Sequence, residues 1–171
     1  MKLYIASSWR NPLYEEVVRK TREMGFEVYD FKQAETAFAW EDVFDTPFWR
    51  ELPTEEQFRG LKSRQAQMAY SADMKALKEA DMLFLLLSAG RSAHWEGCVA
   101  HAMGKPIVIY ASPDEKIELE LVYLEHAPTT YLNDAYTLLE DFRDLFEEEN
   151  RHVANSQSLR VGVLGVQGED G

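Results

Sequence analysis

LFLLLSAGRSAHWEGCVAHAMGKPIVIY, residues Leu83–Tyr110, is the stretch from which the fold can be read. The run Met82–Leu87 is too short and too continuously apolar for a surface helix, so it is read as a strand buried on both faces. Ser92 is a candidate helix cap, and Gly104 followed by Pro106 supplies the stop. Ile107–Tyr110 is β-branched and bounded by prolines, which makes it a second strand. Strand, helix and strand this close together form a βαβ unit, and the two strands should run parallel. Glu96 is expected in the first turn of the crossover helix. That turn lies just outside the carboxyl end of a central strand, where open α/β sheets bind ligands.

Upstream of this unit the chain repeats the pattern. Lys2–Ala6 reads as strand one. Asn11 and Pro12 read as the cap and first position of a helix. Leu13, Tyr14, Val17, Val18, Thr21 and Met24 share one face of it, and Gly25 ends it. Phe26–Phe31 alternates as strand two. Lys32–Pro53 carries Phe38, Trp40, Phe44, Phe48 and Trp49 without a clean period. It reads either as a binding loop or lid, or as a cover for the sheet edge or a subunit contact. Thr54-Glu55-Glu56-Gln57 has the form of a capping box, opening a helix that runs to about Ala80, either unbroken or with a break near Tyr70-Ser71.

Downstream, Ile117–His126 reads as a short helix or an irregular segment. Thr129–Leu132 reads as a last strand, followed by a helix capped by Asn133 or Asp134. The whole predicts an α/β protein, a flavodoxin-like doubly wound parallel sheet of five strands in the order 2-1-3-4-5. Residues 1–150 form one domain in this reading. Residues 151–171, with the strand-like Leu159–Val166, form a tail that is mobile or contacts another subunit. The switch point falls between strands one and three, so the loops Ser7–Asn11 and Ser88–Trp95 flank the expected site.

The bulk properties narrow the partners. The chain has 171 residues and a net charge of −12, with 46% hydrophobic residues. A polymer of nucleic acid needs a basic stripe, which this balance argues against. The single cysteine, Cys98, excludes a disulfide framework and a multi-cysteine metal site. No apolar run approaches the roughly 20 residues of a membrane helix. No signal peptide is visible, so a cytoplasmic protein is expected. His94 and His101 lack a third metal ligand, and neither a dinucleotide fingerprint nor a phosphate loop is present, so no metal and no cofactor are predicted.

Among reactive residues, Glu96 stands first. Its simplest account is compensation of the helix dipole, worth a few tenths to one kcal/mol. With Ser92 as the cap, however, the reciprocal capping position is Trp95, and Gly97 suits a close ligand better than a strong helix. The dipole would also keep Glu96 ionised, as a carboxylate nucleophile requires. Asp73, on the helix before the central strand, is otherwise a solvated helix residue, and Tyr4 a core residue. Ser8 and Arg10, at a strand-to-helix turn, could hold a phosphate or carboxylate. Arg91, Ser92 and His94 make the same claim on the other side of the switch point.

Taken together, YIASSWR at Tyr4–Arg10, SADMKALKEAD at Ser71–Asp81 and GRSAHWEGCVAHAMGKPIVIY at Gly90–Tyr110 resemble the nucleoside 2-deoxyribosyltransferase superfamily, which includes N-glycosidases of deoxynucleoside 5′-monophosphates. The resemblance covers roughly residues 2–110 and implies the flavodoxin-like fold. It implies Glu96 as the nucleophile that attacks the anomeric carbon and forms a glycosyl-enzyme intermediate. It implies Asp73 as the group that orients the site and handles protons on the base, and Tyr4 as a hydrogen-bonding partner near the nucleophile. Ser8-Trp9-Arg10 matches the Ser-x-Arg of the mononucleotide hydrolases. The transferases carry an acid where this chain has Gly90, and the hydrolases often a Ser; Ser92 is the nearest substitute.

The resulting expectation is an enzyme that cleaves or transfers N-glycosidic bonds of a nucleoside or nucleoside 5′-monophosphate. Glu96, Asp73 and Tyr4 are its catalytic residues. Ser8, Trp9, Arg10, Trp40, Gly90, Ser92 and His94 bind substrate, with Trp9, Trp40 and Trp95 available to stack on the base. The resemblance also implies a homo-oligomer. The alternative is a non-catalytic nucleotide-binding or sensing module on the same fold, which the missing acid at Gly90 favours.

Overall fold

The computed structural model describes residues 1–115, 126 and 128–164. Four parallel strands form the sheet in the order β2-β1-β3-β4: β1 (Lys2–Ala6), β2 (Glu27–Tyr29), β3 (Met82–Leu86) and β4 (Ile107–Tyr110). β1 pairs with β2 on one side and β3 on the other, with Tyr4 opposite both Tyr29 and Leu83. This is the order expected for the first four strands. The fifth is not seen among the described residues. Thr129 makes only an isolated parallel bridge to Tyr110, because the chain turns at Tyr131 into a helix: the Ala135 N–H already donates to the Tyr131 carbonyl at 3.2 Å.

The continuous apolar runs are buried because both sheet faces are covered. Side chains alternate along each strand, so successive residues enter opposite layers. Leu3, Ile5, Met82, Phe84, Leu86 and Val108 pack with α1 (Tyr14–Glu23) and the start of α6 (Leu132–Leu164). Tyr4, Ala6, Leu83, Leu85, Ile107 and Ile109 face Leu77 of α4 (Arg64–Glu79) and Ala93 and Ala100 of α5 (Arg91–Ala102). Burial of a side chain such as Phe84 is worth about 1.5–3 kcal/mol relative to leaving it exposed.

Polar links fix the layers to the sheet. Asp81 joins the starts of β1 and β3: its Oδ2 accepts from the Lys2 N–H at 2.6 Å, and its own N–H donates to the Lys2 carbonyl at 2.8 Å. Lys105 Nζ donates to the carbonyls of Lys78 and Ala80 at the carboxyl end of α4, where a cation suits the dipole. Arg143 of α6 donates to the Met24 carbonyl at the end of α1 and lies over the Phe26 ring. Gly25 (φ 93°) and Gly104 (φ 70°) end α1 and α5 in the left-handed region, as their places in the sequence predict.

Several local expectations change. The helix anticipated from Thr54 toward Ala80 is two helices, α3 (Thr54–Leu61) and α4, separated at Lys62-Ser63. Ser63 interrupts it by capping α4: its side chain accepts from the Ala66 N–H at 3.2 Å. The capping box at Thr54 does not form. Pro53 is the cap of α3, and the Gln57 amide instead donates to the Arg50 and Leu52 carbonyls. The aromatic segment is not a plain loop but contains α2 (Trp40–Phe44) and a 3-10 turn at Trp49–Glu51. The strand-like Leu159–Leu164 belongs to α6, which continues past residue 150 for a total of 33 residues. Most of the anticipated segment 117–126 and all of 165–171 lie outside the described residues. No described helix is long and apolar enough to cross a membrane.

Candidate active site

The sheet face covered by α4 and α5 positions the site. Tyr4 projects from the middle of β1 onto this face and is only 2% exposed. Asp73 comes from α4 and Glu96 from α5, and all three line one cavity of about 600 Å³, a volume suited to a drug-sized ligand. The rest of the wall is mostly apolar. Trp9 and Phe31 stand on one side, in edge contact with centroids 5.5 Å apart. Tyr70 and Trp95 stand on another, 6.3 Å apart. Thr36, Phe38 and Trp40 bring the aromatic segment into the wall, and Trp40 rests in turn on Phe44 and Trp49.

The two central loops are stitched together beneath the cavity. Asn11 is 4% exposed. Its side-chain amide donates to the Leu86 and Ser88 carbonyls, each at 3.2 Å, while its Oδ1 accepts from the Leu13 N–H at 3.0 Å. Asn11 therefore bridges the ends of β1 and β3, and α1 begins at Tyr14, later than the Asn-Pro signal predicts. Ser7 adds a 2.8 Å bond from its hydroxyl to the same Leu86 carbonyl.

Protonation departs from the sequence expectation. Gly90 is the cap of α5, so Glu96 is the helix's sixth residue and lies in its second turn. The dipole does not hold it ionised. Burial, reinforced by the negative charge of Asp73, pushes the Glu96 carboxyl up to about 8, against a smaller opposing hydrogen bond from Tyr4. Burial also raises Asp73, opposed by the Tyr29 hydroxyl, which donates to Asp73 Oδ1 at 2.9 Å. Burial and the two carboxyl groups raise the Tyr4 phenol far above its usual range, so Tyr4 is a permanent donor.

Of the residues singled out in the sequence, Tyr4, Trp9, Trp40, Asp73, Arg91, Ser92, Trp95 and Glu96 meet in this cavity. Ser8, Arg10, Gly90 and His94 are placed outside its wall. The Ser8 hydroxyl accepts from the Arg10 N–H, and Arg10 points into solvent. A Cβ on Gly90 would meet nothing within 4 Å. The His94 ring nitrogen lies 3.0 Å from the Gly90 carbonyl. Ser7 stands in the wall instead of Ser8, and Arg91, unlike Arg10, is part of it and is the one Lys or Arg among the described lining residues. Phe31, Thr36 and Tyr70 were not foreseen, and neither was Tyr29 behind them. Among the described residues no three His, Cys, Asp or Glu side chains form a metal-ligand set.

A buried acid pair with raised proton affinity, a fixed phenol donor and aromatic walls can bind a flat ring and carry out acid–base or nucleophilic chemistry at its edge. No family model matches the chain, and no curated protein does. Among solved structures it resembles a 2-deoxyribosyltransferase from the psychrotolerant bacterium Bacillus psychrosaccharolyticus, at 22% identity and a TM-score of 0.50, over 78% of this chain and 89% of that one. A conserved protein from Enterococcus faecalis V583 is similar at 17% identity and a TM-score of 0.44, over 81% and 87% of the two chains. The fold is thus nucleoside 2-deoxyribosyltransferase-like.

Proposed function

We propose that the protein cleaves or transfers the N-glycosidic bond of a nucleoside or nucleoside 5′-monophosphate, with Glu96 as the nucleophile. The observation that carries this reading is the convergence of Tyr4, Asp73 and Glu96 in one aromatic-walled cavity. The fold shared with a 2-deoxyribosyltransferase supports it. A base stacks on the aromatic wall, which places the anomeric carbon near the carboxyl pair. A Glu96 oxygen bonds to that carbon as the carbon–nitrogen bond breaks, and the bonding pair leaves with the base. Asp73 gives the departing base its proton. Water or a second base then attacks the glycosyl carbon, giving its proton to the Asp73 carboxylate, and the bonding pair returns to Glu96.

The reaction needs one proton on the pair, held by Asp73 and not by Glu96. The surroundings of Glu96 favour the opposite placement, since burial and the Asp73 charge make it bind its proton more tightly than an ordinary carboxyl. The transition state reverses this preference, because positive charge develops at the sugar carbon beside Glu96 and basicity at the leaving nitrogen. Tyr4 stays protonated throughout and orients the nucleophile. Arg91 and Ser92, together on one side of the wall, are available to a sugar or phosphate.

Base release from a panel of nucleosides and nucleoside 5′-monophosphates, followed by chromatography, tests the proposal. The expected result is release by the wild type and none by Glu96→Ala. No release from any member, with the protein folded and a second base supplied as acceptor, would overturn it.

A further inference from the structure

We infer that Tyr29 is a positioning residue of this site: its hydroxyl holds Asp73 and its ring backs Tyr4, so one side chain outside the cavity sets both groups that act on Glu96. The inference rests on the glycosidase reading for its kinetic consequences but not for its geometry. Tyr29 ends β2, directly opposite Tyr4 in the parallel pairing with β1. The two rings are stacked, with centroids 5.9 Å apart and planes 12° from parallel. The Tyr29 hydroxyl donates to Asp73 Oδ1 at 2.9 Å across a sequence separation of 44 residues. Tyr29 is not part of the cavity wall, whereas Tyr4 and Asp73 are. It therefore acts through them.

The chemical consequence follows from how a carboxyl carries its proton. With Oδ1 occupied by the Tyr29 hydroxyl, the proton that Asp73 delivers resides on Oδ2, and the carboxyl plane cannot rotate freely. The Thr36 side chain hydrogen-bonds Tyr29 in turn. Thr36 lies in the cavity wall on the segment that carries Phe38 and Trp40. Tyr29 thus connects the aromatic wall to the acid pair.

Tyr29→Phe removes the hydroxyl and keeps the stacked ring. Two effects oppose each other in this variant. Asp73 loses a bond that favours its charged form, so it takes up a proton more readily, which changes the reactive fraction by about tenfold at most for one pH unit. The freed carboxyl also loses its orientation, and misplacement of a reacting group costs up to about a hundredfold. Orientation wins, and the net result is a fall in kcat of about tenfold, with KM changed by less than about threefold.

The test combines carboxyl-carbon NMR titration of the ligand-free protein with base-release kinetics, in the wild type, Tyr29→Phe, Asp73→Asn and the double variant. The account expects the lower of the pair's two titrations to move up by about one pH unit in Tyr29→Phe. It also expects the acid limb of kcat/KM to move with it, and the double variant to lose no more activity than Asp73→Asn alone. An unmoved titration, or losses that multiply in the double variant, would overturn the role of Tyr29. Absence of base release from every protein would overturn the glycosidase reading instead, and the titration alone would still decide whether Tyr29 sets Asp73.

Discussion

The negative charge of Asp73, on α4, raises the proton affinity of Glu96, on α5, across the cavity they share. Burial is the larger cause of the rise, which takes the Glu96 carboxyl from an unfolded value of 4.5 to about 8. Between these values the folded chain holds a proton that the unfolded chain releases. The contribution of Glu96 to stability is therefore most favourable below about pH 4.5 and declines as pH rises toward 8. Chemical denaturation of the wild type and Glu96→Gln across this range should show the two stabilities converging at low pH. At pH 8 and above, the Gln variant should be the more stable.

Asp73→Asn removes the charge but little of the burial. The Glu96 titration should move to lower pH and stay above 4.5, as followed by carboxyl-carbon NMR. The same substitution removes the proton donor for the base, so kcat should fall by about a hundredfold or more.

The pH dependence of kcat/KM should report the pair and not either residue alone. Activity needs one shared proton, so the alkaline limb should fall with an apparent value near 8, where the last proton leaves. Initial rates across pH 5–10 check this. Rates that rise through pH 8 would mean that both carboxyl groups must be ionised.

Gly60 keys the aromatic wall to the body of the protein. A Cβ built there would lie 2.0 Å from Phe44 Cζ, and Phe44 stacks on Trp49 and touches Trp40. Gly60→Ala should displace α2, cost about 1–3 kcal/mol as overpacking does, and raise KM through the shift of Trp40. Thermal denaturation and substrate titration measure the two effects.

Asn11→Ala should destabilise by about 1–3 kcal/mol, because it takes the Asn11 partner from the part-buried Leu13 N–H and the Ser88 carbonyl and leaves the Leu86 carbonyl with the Ser7 hydroxyl alone. Urea denaturation measures it.

Much of this arrangement is visible in the chain itself. The apolar runs at β1, β3 and β4 and the glycines at 25 and 104 depend on local chemistry and appear where the sequence places them. Tyr4 and Asp73 read locally as a core residue and a solvated helix residue, and only the family resemblance singles them out beside Glu96, with which they line one cavity. The break at Ser63 has only weak local signals, Gly60 shortly before it and the capping hydroxyl of Ser63 itself, among residues that otherwise favour a helix. The partnership of Tyr29 with Asp73 was hidden because it spans two layers and 44 residues. The protonation of Glu96 was misread for a similar reason: a dipole is a local property, whereas burial is set by packing from β1 and α4. Arg91 and Ser92, both candidates from the sequence, stand in the wall, whereas Ser7 stands there in place of Ser8 one step along the chain, where only the backbone trace decides which side chain faces inward.

The most direct test of Glu96 as nucleophile is peptide mass spectrometry of protein quenched during turnover of a 2-fluorinated nucleoside substrate, whose electron-withdrawing fluorine slows breakdown of the intermediate. The account predicts a glycosyl ester on the peptide containing Glu96, removed by hydroxylamine and absent from Glu96→Gln. Base release by the wild type with no ester on that peptide at any quench time, or undiminished release by Glu96→Gln, would contradict it.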